Sequence, residues 1–513
     1  MHSLFGRLLV ALFAAILAAP AGAAWHQAKS KHFIIYADLK PADLGAYADR
    51  LERFDQAVRH VRGMADPPLT DSSRLTLYVL RSKDAVEDLV GGSGVAGFYS
   101  SRASGAVAFV PRYAGTRWDK FDLDAEQIFF HEYSHHLQLH NTSAALPAWV
   151  IEGFAEFFAT AQIKPDGSVS IGTPPMYRAY GLMNLDELSI EEMVGGNYKR
   201  LNAEGREHLY GRGWLLTHYL SFEPSRRGQL HRYVEAIQKG AGALDSAKAA
   251  FGDLKKLDRE LDGYLVRRSL NALLIDAKVL SIGQATVRPL TPGEAAIMNV
   301  HLHSTRGVSG KTAPGVAATA RKIAASYPND PFVQKVLAEA EFDAGNHAAA
   351  EIAADRALAT DPGNFRAMVY KGRALLEMAR TKPEADWAGI RKWFIKANRV
   401  DTESAEPLLL HYQTYLYAGT NPTKNAVDGL LYAVALAPQD DGLRVSAVHR
   451  MLVEKRLDEA RQLFAPISFH PHAPERYRES NAEVMAAIVA RDAERALAAL
   501  ESAMNPSDQA AER

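Results

Sequence analysis

His131-Glu132-Tyr133-Ser134-His135 is the stretch on which the reading of this chain turns. On an α-helix, positions four apart lie on one face, so His131 and His135 can both present an imidazole nitrogen to one Zn²⁺. Glu132 then stands beside the metal rather than on it. A carboxylate in that place can take a proton from zinc-bound water as the water attacks a carbonyl, and return it to the leaving amine. This is the H-E-x-x-H logic of zinc peptidases. The chain holds 18 His, so a chance match is expected on the order of a few per cent of the time, and the neighbouring sequence has to carry the rest.

Two downstream segments complete the pattern. Pro147-Ala148-Trp149-Val150-Ile151-Glu152-Gly153-Phe154-Ala155-Glu156 reads as a helix opened by proline. A catalytic zinc needs a third protein ligand and one open position, and Glu152 lies where a returning helix would supply it. Glu156, one turn later on the same face, is placed to orient a ligand histidine through the ring nitrogen that does not bind metal. Tyr210-Gly211-Arg212-Gly213-Trp214-Leu215-Leu216 sets a tyrosine just before a helical apolar pattern, where its hydroxyl can donate to an oxyanion.

Together the three segments resemble the gluzincin peptidases, the broad peptidase-MA-like group that includes the zinc aminopeptidases. In that family H-E-x-x-H is followed by W-x-x-E-G, whose Glu is the third ligand, and later by Y-x-K-G, whose Tyr stabilises the transition state. The matching residues are His131, Glu132 and His135, then Trp149, Glu152 and Gly153, then Tyr210 and Gly213, within a resemblance covering roughly residues 25 to 270. Arg212 stands where Lys is usual, and 16 residues separate His135 from Glu152, a slightly shorter gap than in the aminopeptidases. The family's upstream G-x-M-E-N, whose Glu holds a substrate's free amine, has no counterpart. Gly97-Phe98-Tyr99 through Gly105-Ala106-Val107-Ala108-Phe109-Val110 reads instead as an edge strand without that carboxylate. The resemblance therefore implies an endopeptidase rather than an aminopeptidase.

With 513 residues, 47% hydrophobic and 23% charged, the chain is globular by composition and long enough for two or three domains. Lys plus Arg is 59 against 60 for Asp plus Glu, which leaves no basic excess for nucleic acid. Arg7, an apolar run from Leu8 to Ala19 and small residues at Ala21 and Ala23 read as a secretory signal peptide, cleaved after Ala23 or Ala24, the alternative being an uncleaved anchor. The run is shorter than the ~20 residues that span a bilayer, so no stable membrane span is expected after cleavage. There are no cysteines, hence neither a disulfide framework nor a lipoprotein anchor, and a bacterial periplasm fits best.

From Trp25 onward, His32 to Tyr36 and Arg74 to Leu80 read as strands, Pro41 to Gly63 and Ser82 to Leu89 as helices, and Asp122 to Gln138 as the active-site helix. Gly91-Gly92-Ser93-Gly94 reads as a turn or a mobile loop, the turn being favoured. Trp214 to Phe222 and Leu230 to Ile237 read as helices closing the domain near Leu270. Residues 271 to 313, punctuated by Pro289, Pro292, Gly307 and Gly310, read as a connector or small β element. His301 and His303 would share a face of a strand, and His136 and His140 repeat the i, i+4 spacing; both pairs lack a neighbouring carboxylate or a following Glu and read as ordinary residues, the second pair on the helix surface.

In the last 200 residues Pro328 and Pro362 are 34 residues apart, with a mid-turn at Gly345-Asn346 and an Ala350, Ala354, Ala357, Leu358 stripe. That is the tetratricopeptide period and layout. The unit end at Ala357 to Pro362 is echoed at Ala397 to Thr402 and Ala435 to Gln439, and a further unit runs from Leu443 to about Pro466. Such stacks make a concave peptide-binding surface.

The expected fold class is an α+β zincin-like catalytic domain followed by an all-α tetratricopeptide-like helical repeat domain. Residues 1–23 are the signal peptide, 24–270 the metallopeptidase domain, 271–313 the connector and 314–513 the repeats. The function expected is that of a secreted or periplasmic zinc metallopeptidase, with His131, His135 and Glu152 on Zn²⁺, Glu132 and Tyr210 catalytic, a peptide or protein substrate, and a possible protein partner on the repeats. The alternatives are a catalytically silent zincin-fold scaffold acting as an interaction module, and another zinc hydrolysis such as deacylation of a cell-wall or lipid substrate.

Overall fold

A computed structural model describes residues 25–92, 97–112, 124–140, 146–183, 188–195, 203–382, 384–468 and 475–504. The signal-peptide reading of residues 1–24 and the Ser93-Gly94 part of the glycine link lie outside them. Gly91 itself caps a helix in the left-handed conformation, φ 76°, as the turn reading requires.

The first half is built on a six-stranded sheet. Its strands are β1 (His26–Lys29), β2 (Phe33–Ala37), β3 (Leu75–Leu80), β4 (Phe98–Arg102), β5 (Gly105–Pro111) and a later strand, Thr286–Pro289, in the order β4-β5-β3-β2-β1 and then Thr286–Pro289. β2, β3 and β5 run parallel; the other pairings are antiparallel. Helices α1 (Pro41–Arg62) and α2 (Lys83–Val90) follow β2 and β3. Ser82 caps α2 by accepting from the Ala85 N–H.

Strand alternation divides the sheet into two apolar faces. Phe33, Ile35, Leu75, Leu77, Ala106 and Ala108 face Leu44, Ala48, Leu51, Phe54 and Val58 of α1, all buried, and Phe129 and Leu137 of the next helix. Tyr36, Tyr78 and Phe109 face the other way, onto Val86 and Leu89 of α2 and Met298 and Leu302 of a later helix. The expected edge strand is thus a hairpin: β4 forms the edge, while β5 lies inside.

α3 (Ala125–His140) carries the H-E-x-x-H segment and α4 (Ala148–Ala159) returns against it. Next come β6 (Gln162–Ile163), β7 (Val169–Ile171), α5 (Ala179–Met183), α6 (Ile190–Gly195) and α7 (Ala203–Phe222). α8 (Gln229–Gln238), α9 (Ala243–Phe251) and α10 (Leu254–Leu265) close this helical side. Tyr210 lies in the middle of α7 rather than ahead of a helix: Glu207, His208 and Leu209 continue the pattern that Trp214 to Phe222 shows more plainly.

The expected connector or small β element supplies one strand to each sheet. β8 (Leu273–Ile275) pairs with β7 in a three-stranded sheet, β9 (Thr286–Pro289) pairs with β1, and α11 (Pro292–Arg306) is a helix with a Thr291–Glu294 capping box. A boundary at residue 270 would remove a strand from each sheet. Short, mostly exposed strands such as β8 carry no apolar alternation, and α11 reads poorly because Gly293, His301 and Ser304 interrupt its buried face. His301 and His303 therefore lie on a helix, where residues two apart point different ways. His301 is buried, with its Nε2 2.9 Å from the Tyr78 hydroxyl.

The second half is a tetratricopeptide-like array of helical hairpins. After α12 (Ala313–Ala324), pairs form from α13 (Pro331–Asp343) with α14 (His347–Thr360), α15 (Phe365–Ala379) with α16 (Trp387–Val400), α17 (Ala405–Tyr417) with α18 (Lys424–Leu436), α19 (Asp441–Val453) with α20 (Leu457–Ser468), and α21 (Glu475–Val489) with α22 (Ala493–Met504). First helices begin at 331, 365, 405, 441 and 475, so the intervals are 34, 40, 36 and 34 residues. The second and third intervals exceed the 34-residue period, so the pattern is less regular there. Among the described residues no helix is long and apolar enough to cross a membrane.

The array curls back onto the sheet. Asp401 accepts from the Thr70 hydroxyl at 2.8 Å, Asp440 from the Ala103 N–H at 2.6 Å, and Gln439 bridges the Tyr99 hydroxyl and the His136 carbonyl. A cavity of about 1050 Å³ lies between the Tyr36/Tyr78 face and the inner helices α13, α15 and α17.

Candidate metal centre

α4 opens at Pro147, whose missing N–H costs nothing at a helix start, and every residue of it is buried. Two carboxylates in such a helix, Glu152 and Glu156, are costly unless cations or donors meet them. α3 supplies the partners. His131 Nε2 and His135 Nε2 are 3.1 Å apart, and each is 3.5 Å from Glu152 Oε2. Ligand atoms around a tetrahedral zinc with bonds of ~2.0–2.1 Å stand about 3.3 Å from one another. Two nitrogens and one carboxylate oxygen from two facing helices thus form the triangle such an ion needs, and the donor types suit zinc.

The surroundings orient the ligands. His131 Nδ1 lies 3.4 Å from Glu156 Oε1, which favours the tautomer whose Nε2 is free to ligate. Burial works against an imidazolium at His131, but Glu152, Glu156 and Glu132 outweigh it and push the group up to about 9. Glu132 is half-buried on the same helix, and its charge is felt at His131 and Tyr210. The Tyr210 ring stands 6.3 Å from the His131 ring, edge to face. Burial, then Glu152, hold its phenol well above the ordinary value, so it stays protonated and a donor.

The glycines of the second and third segments have a steric reason. A Cβ on Gly153 would meet the Gly213 carbonyl oxygen and the Thr217 hydroxyl at 2.5 Å, and one on Gly213 would lie 3.2 Å from the Trp149 oxygen. α4 and α7 touch backbone to backbone there, which brings Glu152 and Tyr210 to one place. Arg212 turns away from the centre; it is buried against Asp258 of α10, and Trp149 is core, donating to the Tyr233 hydroxyl at 3.2 Å.

Sequence reasoning missed Tyr177 and Arg178, which close a short turn after Pro174-Pro175. The Tyr177 hydroxyl donates to Glu156 Oε2 at 2.8 Å and Arg178 Nε to Glu156 Oε1 at 2.9 Å. No local pattern marks them, because their role arises only where α4 and α7 meet. His136 is likewise no surface residue: its Nδ1 meets the Tyr99 hydroxyl at 2.8 Å beneath Gln439, which also reaches His140 Nδ1 at 2.9 Å. The partner that buries it lies some 300 residues downstream.

A second cluster, His32, Glu52 and Asp55, also brings potential ligand atoms within 4.8 Å of one another. Its groups are already matched. His32 Nδ1 meets Glu52 at 2.7 Å and its Nε2 meets Asp66 at 2.9 Å; Arg59 pairs with Asp55, Lys31 with Asp66, and the Tyr133 hydroxyl donates to Asp55 at 2.8 Å.

No protein-family model matches this chain, and no curated protein does. Among solved structures the chain is similar to TTC0263, a thermophilic TPR protein of Thermus thermophilus, at 17% identity over 38% of this chain and 100% of that one, TM-score 0.32. It is also similar to yeast Tom70, at 14% identity over 65% of this chain and 72% of that one, TM-score 0.25.

Proposed function

We propose that this chain is an exported zinc metallopeptidase, an endopeptidase of gluzincin type, whose α/β half holds the reaction and whose repeats bind a substrate or partner. The observation that carries the reading is the triangle of His131 Nε2, His135 Nε2 and Glu152 Oε2, with sides of 3.1 to 3.5 Å. Zinc held by His131, His135 and Glu152 would supply Lewis acidity at the cleft. Glu132 would accept a proton from the attacking water on its carboxylate and return it to the leaving amine. The Tyr210 hydroxyl donates to the oxygen on which negative charge develops. Glu156 holds the His131 ring through Nδ1.

The signal-peptide pattern of residues 1–23 supports action in the periplasm or outside the cell. The array supports a second reading, in which a silent zincin-fold scaffold serves as a tetratricopeptide-type interaction module. Glu132 separates the two, since a structural zinc has no use for it.

The test is hydrolysis of casein and fluorogenic peptides by purified protein, with and without a chelator. Chelator-sensitive cleavage is expected, and Glu132→Gln should lower it by about 10²–10⁴-fold while zinc content stays at one equivalent. Turnover retained by Glu132→Gln assigns the base elsewhere. Zinc without cleavage of any peptide favours the scaffold, and cleavage of acyl groups alone favours deacylation.

A further inference from the structure

We infer that Arg178 is a positioning residue for this centre, tying the carboxylate that orients His131 to the helix that carries Tyr210. This rests on the zinc reading above and names the side chain that holds its two halves in register.

Arg178 ends a single turn, Met176–Arg178, between β7 and α5. Its Nε and Nη2 both lie 2.9 Å from Glu156 Oε1 on α4. Its Nη1 donates to both oxygens of Glu207 on α7, at 2.7 and 2.9 Å. Its guanidinium carbon stands 4.6 Å from the Tyr210 ring centroid. One planar cation therefore meets two carboxylates from two helices and covers the ring between them. A guanidinium fork does this with fixed angles, where a lysine ammonium would reach one partner at a time.

The consequence falls on both sides of the centre. On α4, Glu156 is buried, and its Oε1 is shared between Arg178 and His131 Nδ1. With Arg178 in place, Glu156 Oε1 is held by two guanidinium nitrogens at the point where it meets His131 Nδ1, which keeps the ring turned with Nε2 toward the metal position. On α7, the cation over the ring draws electron density from the phenol and strengthens its O–H as a donor. The residue is not used up elsewhere: among the described residues, every contact its guanidinium makes points at Glu156, Glu207 or the two tyrosine rings beside it.

The experiment measures zinc affinity by competition with a chromogenic chelator for wild type, Arg178→Ala, Arg178→Lys and Glu207→Gln, with folding checked by circular dichroism. Arg178→Ala should bind zinc about 10–100-fold more weakly, the range lost when an outer partner of a metal ligand is removed. Arg178→Lys should fall between it and wild type, and Glu207→Gln should lose least because it holds only the outer side of the fork. On a peptide substrate Arg178→Ala should lower kcat with little change in KM, and adding it to Tyr210→Phe should cost less than the two changes made separately, because part of its effect runs through that ring. Free guanidinium at millimolar concentration should restore part of the loss in Arg178→Ala and none in Tyr210→Phe. A folded Arg178→Ala that binds zinc like wild type overturns the role of Arg178 alone. Wild type that binds no zinc overturns the metal reading and this role with it. If Arg178→Ala does not fold, wild-type zinc affinity in Arg178→Lys overturns the proposal in its place.

Discussion

Two clusters of histidine and carboxylate flank the same helix, α3, and they differ in what balances their charge. On the side toward α4, His131, His135 and Glu152 turn two nitrogens and an oxygen toward one point, 3.1 to 3.5 Å apart. Two imidazole nitrogens that close cannot both carry protons, and the zinc proposed above would take the place of the one they share. On the side toward α1, His32, Glu52, Asp55 and Asp66 are as tightly gathered, yet Arg59, Lys31 and the Tyr133 hydroxyl supply the positive partners from within the chain. Liganding residue types within reach of one another do not by themselves make a metal site; the donor atoms must also converge on one point. The two clusters also share a purpose. Tyr133 belongs to the H-E-x-x-H segment itself, so its bond to Asp55 fixes the rotation of α3 from beneath while His131 and His135 face the opposite helix.

The comparison predicts opposite outcomes for substitutions on the two sides. Asp55 and Glu52 are fully buried, and removing one charge from a buried matched set leaves the others uncompensated. Asp55→Asn or Glu52→Gln should cost about 3–5 kcal/mol of stability, read by urea unfolding, while protein still folded should carry its zinc. His135→Ala should do the reverse. It should abolish tight zinc binding yet, measured with chelator present, shift stability by only about 1 kcal/mol, because His135 Nδ1 makes no hydrogen bond among the described residues and the ring is half-buried at the cleft. Zinc lost from Glu52→Gln, or unfolding of metal-free His135→Ala, would erase the distinction between the clusters.

How much of this was legible follows the range of the interactions. His131, His135, Glu152 and Glu156 were legible because helical spacing and a proline-opened return helix are local facts, and the geometry then depends only on two helices packing. Leu44, Leu51, Phe54 and Val58 were legible for the same reason, as an apolar stripe at helical spacing. The array's period was legible where a unit keeps 34 residues and blurred where one takes 40. β9 was not, because a four-residue strand with mostly exposed side chains carries no alternation and gains its place only by pairing with β1. Gln439, Tyr177 and Arg178 were not, because each acts on residues that are distant in sequence, and nothing in their own neighbourhood requires them. His32 read only as the start of a strand, since its partners Glu52, Asp55 and Asp66 are brought to it by the return of α1 over the sheet.

The smallest expected effect sharpens the comparison most, because it tests whether the inner cluster truly carries its own cation. Burial disfavours the His32 imidazolium, but the Glu52 hydrogen bond and the charges of Asp55 and Glu52 outweigh it and hold the group above its ordinary 6.5. A histidine raised on folding contributes stability that is complete below the unfolded value and is lost as pH rises through the folded one. Between those two values stability should fall by up to about 1.4 kcal/mol per pH unit. On the acid side the terms oppose one another: Glu52 and Asp66 are held below their ordinary values and lose their contribution as pH falls, whereas burial raises Asp55, which works in the other direction. The alkaline limb is therefore the clean one. Metal-free His131 is raised as well and adds a slope of the same sign, so the quantity to read is the difference between wild type and His32→Gln. That difference, from urea unfolding with chelator present, should be largest below the ordinary 6.5 and shrink as pH rises above it, as wild type alone gives up the His32 proton. A difference that stays constant across the range would mean that folding leaves the His32 proton affinity unchanged, and the inner cluster would then not hold its own cation.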